Sequence, residues 1–191
     1  MNIREATAAD AAQLQRIYAP YVEHTAITFE YDAPDAEAFA RRIEQTRQTY
    51  PYLVAEQDGV IVGYAYAAPL KTREAYRYAA EASVYLDAAQ TGRGVGTLLY
   101  EALERVLVRQ NVCLLYACIT EPRFENDPYV TDGSIRFHTA MGYAAVGRFP
   151  RCGYKFGAWY SVVWMAKELM PRPETPPPFV PFAALIRPLP L

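Results

Sequence analysis

A chain of 191 residues has room for one domain with a real core, and an apolar share of 52% with 16 tyrosines marks it as ordered rather than disordered. A formal net charge of -2 removes the electrostatic reason to expect nucleic acid. Every apolar run is broken by charge well short of the roughly 20 residues that a membrane span needs, no cleavable leader pattern opens the chain, and the reading is a cytoplasmic protein. Three cysteines, Cys113, Cys118 and Cys152, are odd in number and lack metal-ligand spacing, so they read as reduced thiols with no metal to hold.

In chain order, NIREA reads as a first strand. AADAAQLQRIYAPYV follows, with Leu14, Ile17, Tyr18 and Tyr21 at the three- and four-residue spacing of an amphipathic helix. Asp35 is placed to cap a second helix through AEAFARRIEQTRQ. YPYLVAE and VIVGYAYAAPL are strands joined by a Gln57-Asp58-Gly59 turn, whose Asp-Gly step is a hairpin signal. ASVYL is a fourth strand, and the glycine-rich QTGRGVG leads from it into a helix, VGTLLYEALERVLVRQ, that keeps Val95, Leu98, Leu99, Ala102, Leu103, Val106 and Leu107 on one side. LLYACI is a strand, GSIRFHTAM a helix, and YAAVGRFPRCGYKF with YSVVWMAKEL a closing strand pair. The pattern predicts a mixed α/β layer fold.

Beyond Leu169 the composition changes. PRPETPPPFVPFAALIRPLPL is too rich in proline for a central strand or long helix, yet too apolar for a free linker. It reads as an extended arm on the domain or on a second subunit. Two regions are therefore expected: 1–169, a folded domain, and 170–191, a proline-rich arm.

The glycine segment carries the chemistry. A strand, a bare turn and a helix start form a general anion site: the first turn offers unpaired N–H groups and partial positive charge, and glycine lets a phosphate approach. A plain glycine turn is the alternative. No Lys follows for a Walker loop, and Gly92, Gly94 and Gly96 come late in the chain at the wrong spacing for a dinucleotide fingerprint. The pyrophosphate of coenzyme A is the third option.

EASVYLDAAQTGRGVGTLLYEAL resembles the acetyl-CoA-binding core of the GNAT N-acetyltransferase superfamily, with Gly94 and Gly96 on its glycines and Thr91 where Gln or Arg is usual. KTREAYRYAAEASVY resembles the Lys-x-Arg-x-Ala-Tyr-x-x-x-x-Glu segment of phosphinothricin N-acetyltransferases. SIRFHTAMGY and GYKFGAWYSVVW resemble that family's Ser-x-Arg-x-His-x-x-x-Gly-Tyr helix and its Gly-Tyr-Lys-x-Gly-x-Trp ending. The likeness runs from about Ile3 to Leu169. It implies a GNAT-type mixed α/β (α+β) fold, a mostly antiparallel sheet of about seven strands flanked by helices. It also implies acetyl-CoA as acetyl donor and a homodimer.

The resemblance implies the roles as well. Glu81 would be the general base that strips a proton from the arriving ammonium, its pKa raised by Ala79, Ala80 and Ala82; a strand-end glutamate in a surface ion pair is the plainer reading. Backbone groups of Val84, Tyr85 and Leu86 would meet the acetyl group and pantetheine, and Gly92, Arg93, Gly94, Val95, Gly96 and Thr97 the pyrophosphate. Thr131 stands where the family has an Asn on the CoA side, in a link lengthened by EPRFENDPYVTDGS. His138 would donate a proton to the departing thiolate or bond near the sulfur, with a satisfied helix histidine as the alternative. Lys71 and Arg73 would hold an anionic substrate group, Tyr76 would wall the pocket, and Phe29 with Glu30 are further pocket candidates.

The function expected is direct acetyl transfer to the amino group of a small amino-acid-like substrate of phosphinothricin, methionine sulfone or methionine sulfoximine type. Acetylation of another amine, such as a polyamine, antibiotic or peptide N-terminus, is the runner-up. A non-catalytic acetyl-CoA-binding module is the alternative from a different class.

Overall fold

A computed structural model describes residues Met1–Leu191. Seven strands form a single sheet: β1 (Asn2–Glu5), β2 (Tyr52–Gln57), β3 (Val60–Pro69), β4 (Ala79–Leu86), β5 (Leu114–Thr120), β6 (Ala144–Lys155) and β7 (Ala158–Glu168). Their spatial order is β1-β2-β3-β4-β5-β7-β6. Every pairing is antiparallel except β4 with β5. The helices are α1 (Ala11–His24), α2 (Ala36–Thr49), α3 (Val95–Arg109) and α4 (Gly133–Ala140).

The local signals act as their chemistry requires. The Asp35 carboxylate accepts from the Ala38 N–H at 2.7 Å and starts α2. Asp58 and Gly59 take φ of 52° and 79°, the left-handed pair that closes the β2–β3 hairpin. The fourth strand begins at Ala79, so Glu81 lies within it.

Period-2 alternation sends the two faces of the sheet to different partners. On one face, Leu14, Ile17, Tyr18 and Val22 of α1 with Phe39 and Ile43 of α2 pack on Tyr52, Val54 and Tyr64. On the other, Leu99, Leu103 and Leu107 of α3 pack on Leu53, Ala65, Ala82 and Leu115.

The residues after β7 lie along the domain. Phe182 is fully buried with Val106 and Leu185, the Val180 N–H donates to the Gln110 carbonyl at 3.1 Å, and Arg109 donates to the carbonyls of Ile186 and Pro188. Phe182 and Leu185 thus find their cover on α3 and Phe179 packs on Tyr50, while Ile186 stays exposed. No helix is long and apolar enough to cross a membrane.

Candidate active site

Strands β4 and β5 are paired only at Ala79–Leu114, Ala80–Leu115 and Glu81–Tyr116; beyond that rung they part. The gap is built into the pairing of β4 with β3. Asp87 donates to Val62, so by antiparallel alternation the N–H and C=O of Leu86, Val84 and Ala82 point the other way, towards β5. Val84 has no strand partner there. Leu86 does have a partner: the Tyr21 hydroxyl donates to its carbonyl at 2.7 Å and accepts from its N–H at 3.3 Å. Tyr85 pairs with Tyr64 on the β3 side, and its ring packs against Tyr18, Tyr21 and Tyr64. Of the three residues expected to offer backbone groups, Val84 is the open one.

Glu81 is half-buried at this fork. Burial raises its carboxyl above the usual carboxylate range, Lys71 pulls it back, and no hydrogen-bond partner claims it. The ion pair that a strand-end glutamate would make on the surface is not formed. Cys118, two residues beyond Tyr116 and so on the same face of β5, is exposed. The surrounding protein, with Glu81 close by, pushes its thiol up to about 12, so it stays protonated at neutral pH and is a poor nucleophile.

At the other end of β4 the glycines divide into two kinds. Gly92 and Gly94 have φ of 71° and 80°, and a Cβ on either would meet nothing within 4 Å. Their bareness serves backbone conformation and leaves open space. Gly94 is the N-cap of α3 without a side-chain cap, and the first helical bond runs from the Leu98 N–H to its carbonyl. The N–H groups of Val95, Gly96 and Thr97 therefore have no intrahelical acceptor. An anion fits this open helix start, and Arg93 is exposed beside it. Gly96 differs: a Cβ there would press on the Phe137 ring at 3.3 Å, so this glycine lets α4 approach α3. Thr91 turns away, its hydroxyl donating to the Ala88 carbonyl at 3.0 Å.

His138 requires a correction. It is buried at 3% exposure, its Nδ1 bonds the Ser134 carbonyl at 2.7 Å, and its Nε2 meets the Tyr100 hydroxyl at 2.9 Å. Burial lowers its pKa below the ordinary 6.5. The neutral ring donates from Nδ1 and accepts at Nε2, with no proton to spare. It ties α4 to α3, and the role of proton donor to a thiolate does not fit this placement. Thr131 is exposed before α4, its hydroxyl accepting from the Gly133 N–H at 3.3 Å. The lengthened link is organised instead by Asp127, buried beneath Arg123 at 2.7 Å.

The other expected pocket residues surround Glu81 without meeting in one place. Lys71 and Arg73 line a groove of about 650 Å³ with Ala68, the β3 partner of Glu81, and with Thr46, Thr49 and Arg77. Tyr76, 41% exposed, lines a separate groove with Tyr116 and the arm prolines Pro173 and Pro176. Phe29 packs on Gly153 of β6, and Glu30 pairs with Arg42 at 2.7 Å.

Three contributors escaped the sequence. Tyr66, which shares a cavity wall with Arg42, is legible in the sequence only as an alternating strand position. Arg42, which lines a tyrosine-walled cavity with Tyr18, Tyr52, Tyr64 and Tyr66, carries no signal in the helix pattern that would single it out. Tyr21 was assigned only to a helix face. Period and propensity carry no signal for contacts made across 65 residues of chain, as between Tyr21 and Leu86.

A family model described as an acetyltransferase (GNAT) domain matches residues 3–164. Phosphinothricin N-acetyltransferase of Streptomyces viridochromogenes is 36% identical over 177 residues, 92% of each chain. L-methionine sulfoximine/L-methionine sulfone acetyltransferase of Salmonella typhimurium is 31% identical, covering 88% of this chain and 95% of its own. Among solved structures, a GNAT superfamily phosphinothricin acetyltransferase from Sinorhizobium meliloti in complex with AcCoA superposes with a TM-score of 0.82 at 28% identity, covering 95% of this chain and 97% of that one.

Proposed function

The chain belongs to the GNAT acetyltransferase family, and from that membership we propose that it acetylates the amino group of a small amino-acid-like substrate with Glu81 as general base. It is an N-acetyltransferase that uses acetyl-CoA. The observation that carries the finer reading is the unclaimed, half-buried carboxylate of Glu81 on the last rung before β4 and β5 part.

Acetyl-CoA supplies the activated acetyl group as a thioester. The residues suited to hold it are the N–H groups of Val95, Gly96 and Thr97, the turn Gly92-Arg93-Gly94, and Val84 in the gap. Glu81 takes a proton from the substrate ammonium, which otherwise has no lone pair with which to attack. Its raised pKa makes it a stronger base than an ordinary carboxylate. The Val84 N–H is the donor available to charge developing on the acetyl oxygen. The amine gives up a second proton as the amide forms, and that proton balances the departing thiolate without a buried acid. The protonated Cys118 favours direct transfer over an acyl-cysteine route.

Lys71 and Arg73 suit the acidic end of the substrate, since both border the groove beside Ala68 and Lys71 acts on Glu81. The names of the relatives support phosphinothricin or methionine sulfoximine and sulfone as substrates. A homodimer suits β6, a sheet edge that exposes Val146 and Phe149.

Release of free CoA from acetyl-CoA across a panel of amines tests this. Phosphinothricin, methionine sulfoximine and methionine sulfone should react, with polyamines and peptide N-termini slower. Faster turnover of those slower amines would overturn the substrate class, and no release with any amine would overturn the activity.

A further inference from the structure

Lys155, the last residue of β6, is 3% exposed. Its Nζ donates to three backbone carbonyls: Val22 at 2.7 Å, Thr25 at 2.9 Å and Thr28 at 2.9 Å. An ammonium has three protons, and here each has an acceptor, the condition under which a buried cation is tolerated. Val22 lies in the last turns of α1, where the helix end favours positive charge. Thr25 and Thr28 lie in the segment joining α1 to α2, which also carries Phe29 and Glu30.

The rest of the β6–β7 hairpin grips the same segment. The Phe29 ring occupies the space a Cβ on Gly153 would need, 2.1 Å away, so only glycine there admits it. The Tyr31 hydroxyl donates to the Tyr154 carbonyl. Phe156 stacks on Tyr129 with centroids 4.2 Å apart, and Tyr129 accepts from the Ala26 N–H at 2.9 Å. So held, Glu30 reaches Arg42 at 2.7 Å, and Arg42 lines a cavity with Tyr66, the β3 residue two before the Glu81 partner Ala68.

We infer that Lys155 is a positioning residue that clamps the α1–α2 segment and so holds Glu30 on Arg42 beside the cleft, acting from outside it. The catalytic consequence rests on the reading of the Glu81 cleft as the amine site; the hold on residues 25–31 does not.

The test compares Lys155→Met with Lys155→Gln, which keeps two N–H donors. For Lys155→Met we expect KM for the amine to rise about tenfold or more while the Kd of acetyl-CoA stays within about twofold, with Lys155→Gln between that and the parent. Amide hydrogen exchange over residues 25–31 should quicken in both variants, with α3 unchanged. An unchanged amine KM beside quickened exchange would overturn the catalytic half, and unchanged exchange would overturn the clamp. Equal losses of amine and acetyl-CoA binding, or failure of both variants to fold, would overturn the proposal in favour of a global structural role. If the parent enzyme turns over no amine, the functional reading fails while hydrogen exchange still tests the hold.

Discussion

Glu81 on β4 stands opposite Tyr116 on β5 at the last rung where the two parallel strands are paired. The carboxylate therefore lies at the mouth of the gap rather than within the ladder, half-buried but open to a ligand. Its chemistry follows from that position.

Glu81→Gln should lower kcat by about 100-fold or more, the usual scale of a lost general base, and leave acetyl-CoA affinity nearly unchanged. Single-turnover rates and calorimetric titration of acetyl-CoA separate the two effects. A large loss of affinity would instead make the residue structural.

The pH dependence has a definite sign. Burial raises Glu81, so kcat/KM should climb with pH and level off above the ordinary carboxylate value; Glu81→Gln should erase that limb. Because the folded state holds this proton more tightly than the unfolded state, Glu81 costs stability as pH rises from its unfolded to its folded pKa. At neutral pH the variant should melt no lower than the parent. A lower Tm would show that the carboxylate makes a favourable contact.

His138→Phe should cost about 1–3 kcal/mol, since it leaves the Tyr100 hydroxyl buried without its partner. With its folded pKa lowered, His138 favours the fold above the ordinary 6.5, and this contribution fades as pH falls below that value. The parent should lose stability there and the variant should lose less. The kcat of the variant should stay close to that of the parent; a large fall in kcat with the fold intact would restore the proton-donor role.

Gly94→Val should weaken acetyl-CoA binding and also destabilise α3 by about 1–3 kcal/mol, because φ of 80° strains any branched residue. Gly94→Asn tolerates that backbone better and isolates the ligand effect. Normal acetyl-CoA affinity in both variants would remove this turn from the pyrophosphate site.

Phe182→Ala should cost about 3–5 kcal/mol, the price of emptying a fully buried aromatic site between the arm and Val106. Denaturant unfolding measures it. A loss below about 1 kcal/mol would make the arm an ornament on α3 rather than part of its packing.

Much of this protein was decided locally. The cap at Asp35, the Asp58-Gly59 turn, the alternation of β3 and the apolar face of α3 each satisfy a neighbour within a few residues, so their order along the chain specifies seven strands and four helices. The glycine turn is local in the same sense and indicated an anion site at a helix start; acetyl-CoA followed only from the resemblance of several segments to the GNAT superfamily. Tertiary structure alone decided which side chains face the cleft. His138 kept its family position, but the approach of α4 to α3, which a bare Gly96 permits, sealed it behind Tyr100. Lys155 had no assigned task in its motif until the fold brought its ammonium within hydrogen-bond reach of three carbonyls more than 120 residues earlier. Periodicity reports the side of an element that is buried; the partner a polar group finds there depends on distant segments meeting, which no local pattern encodes.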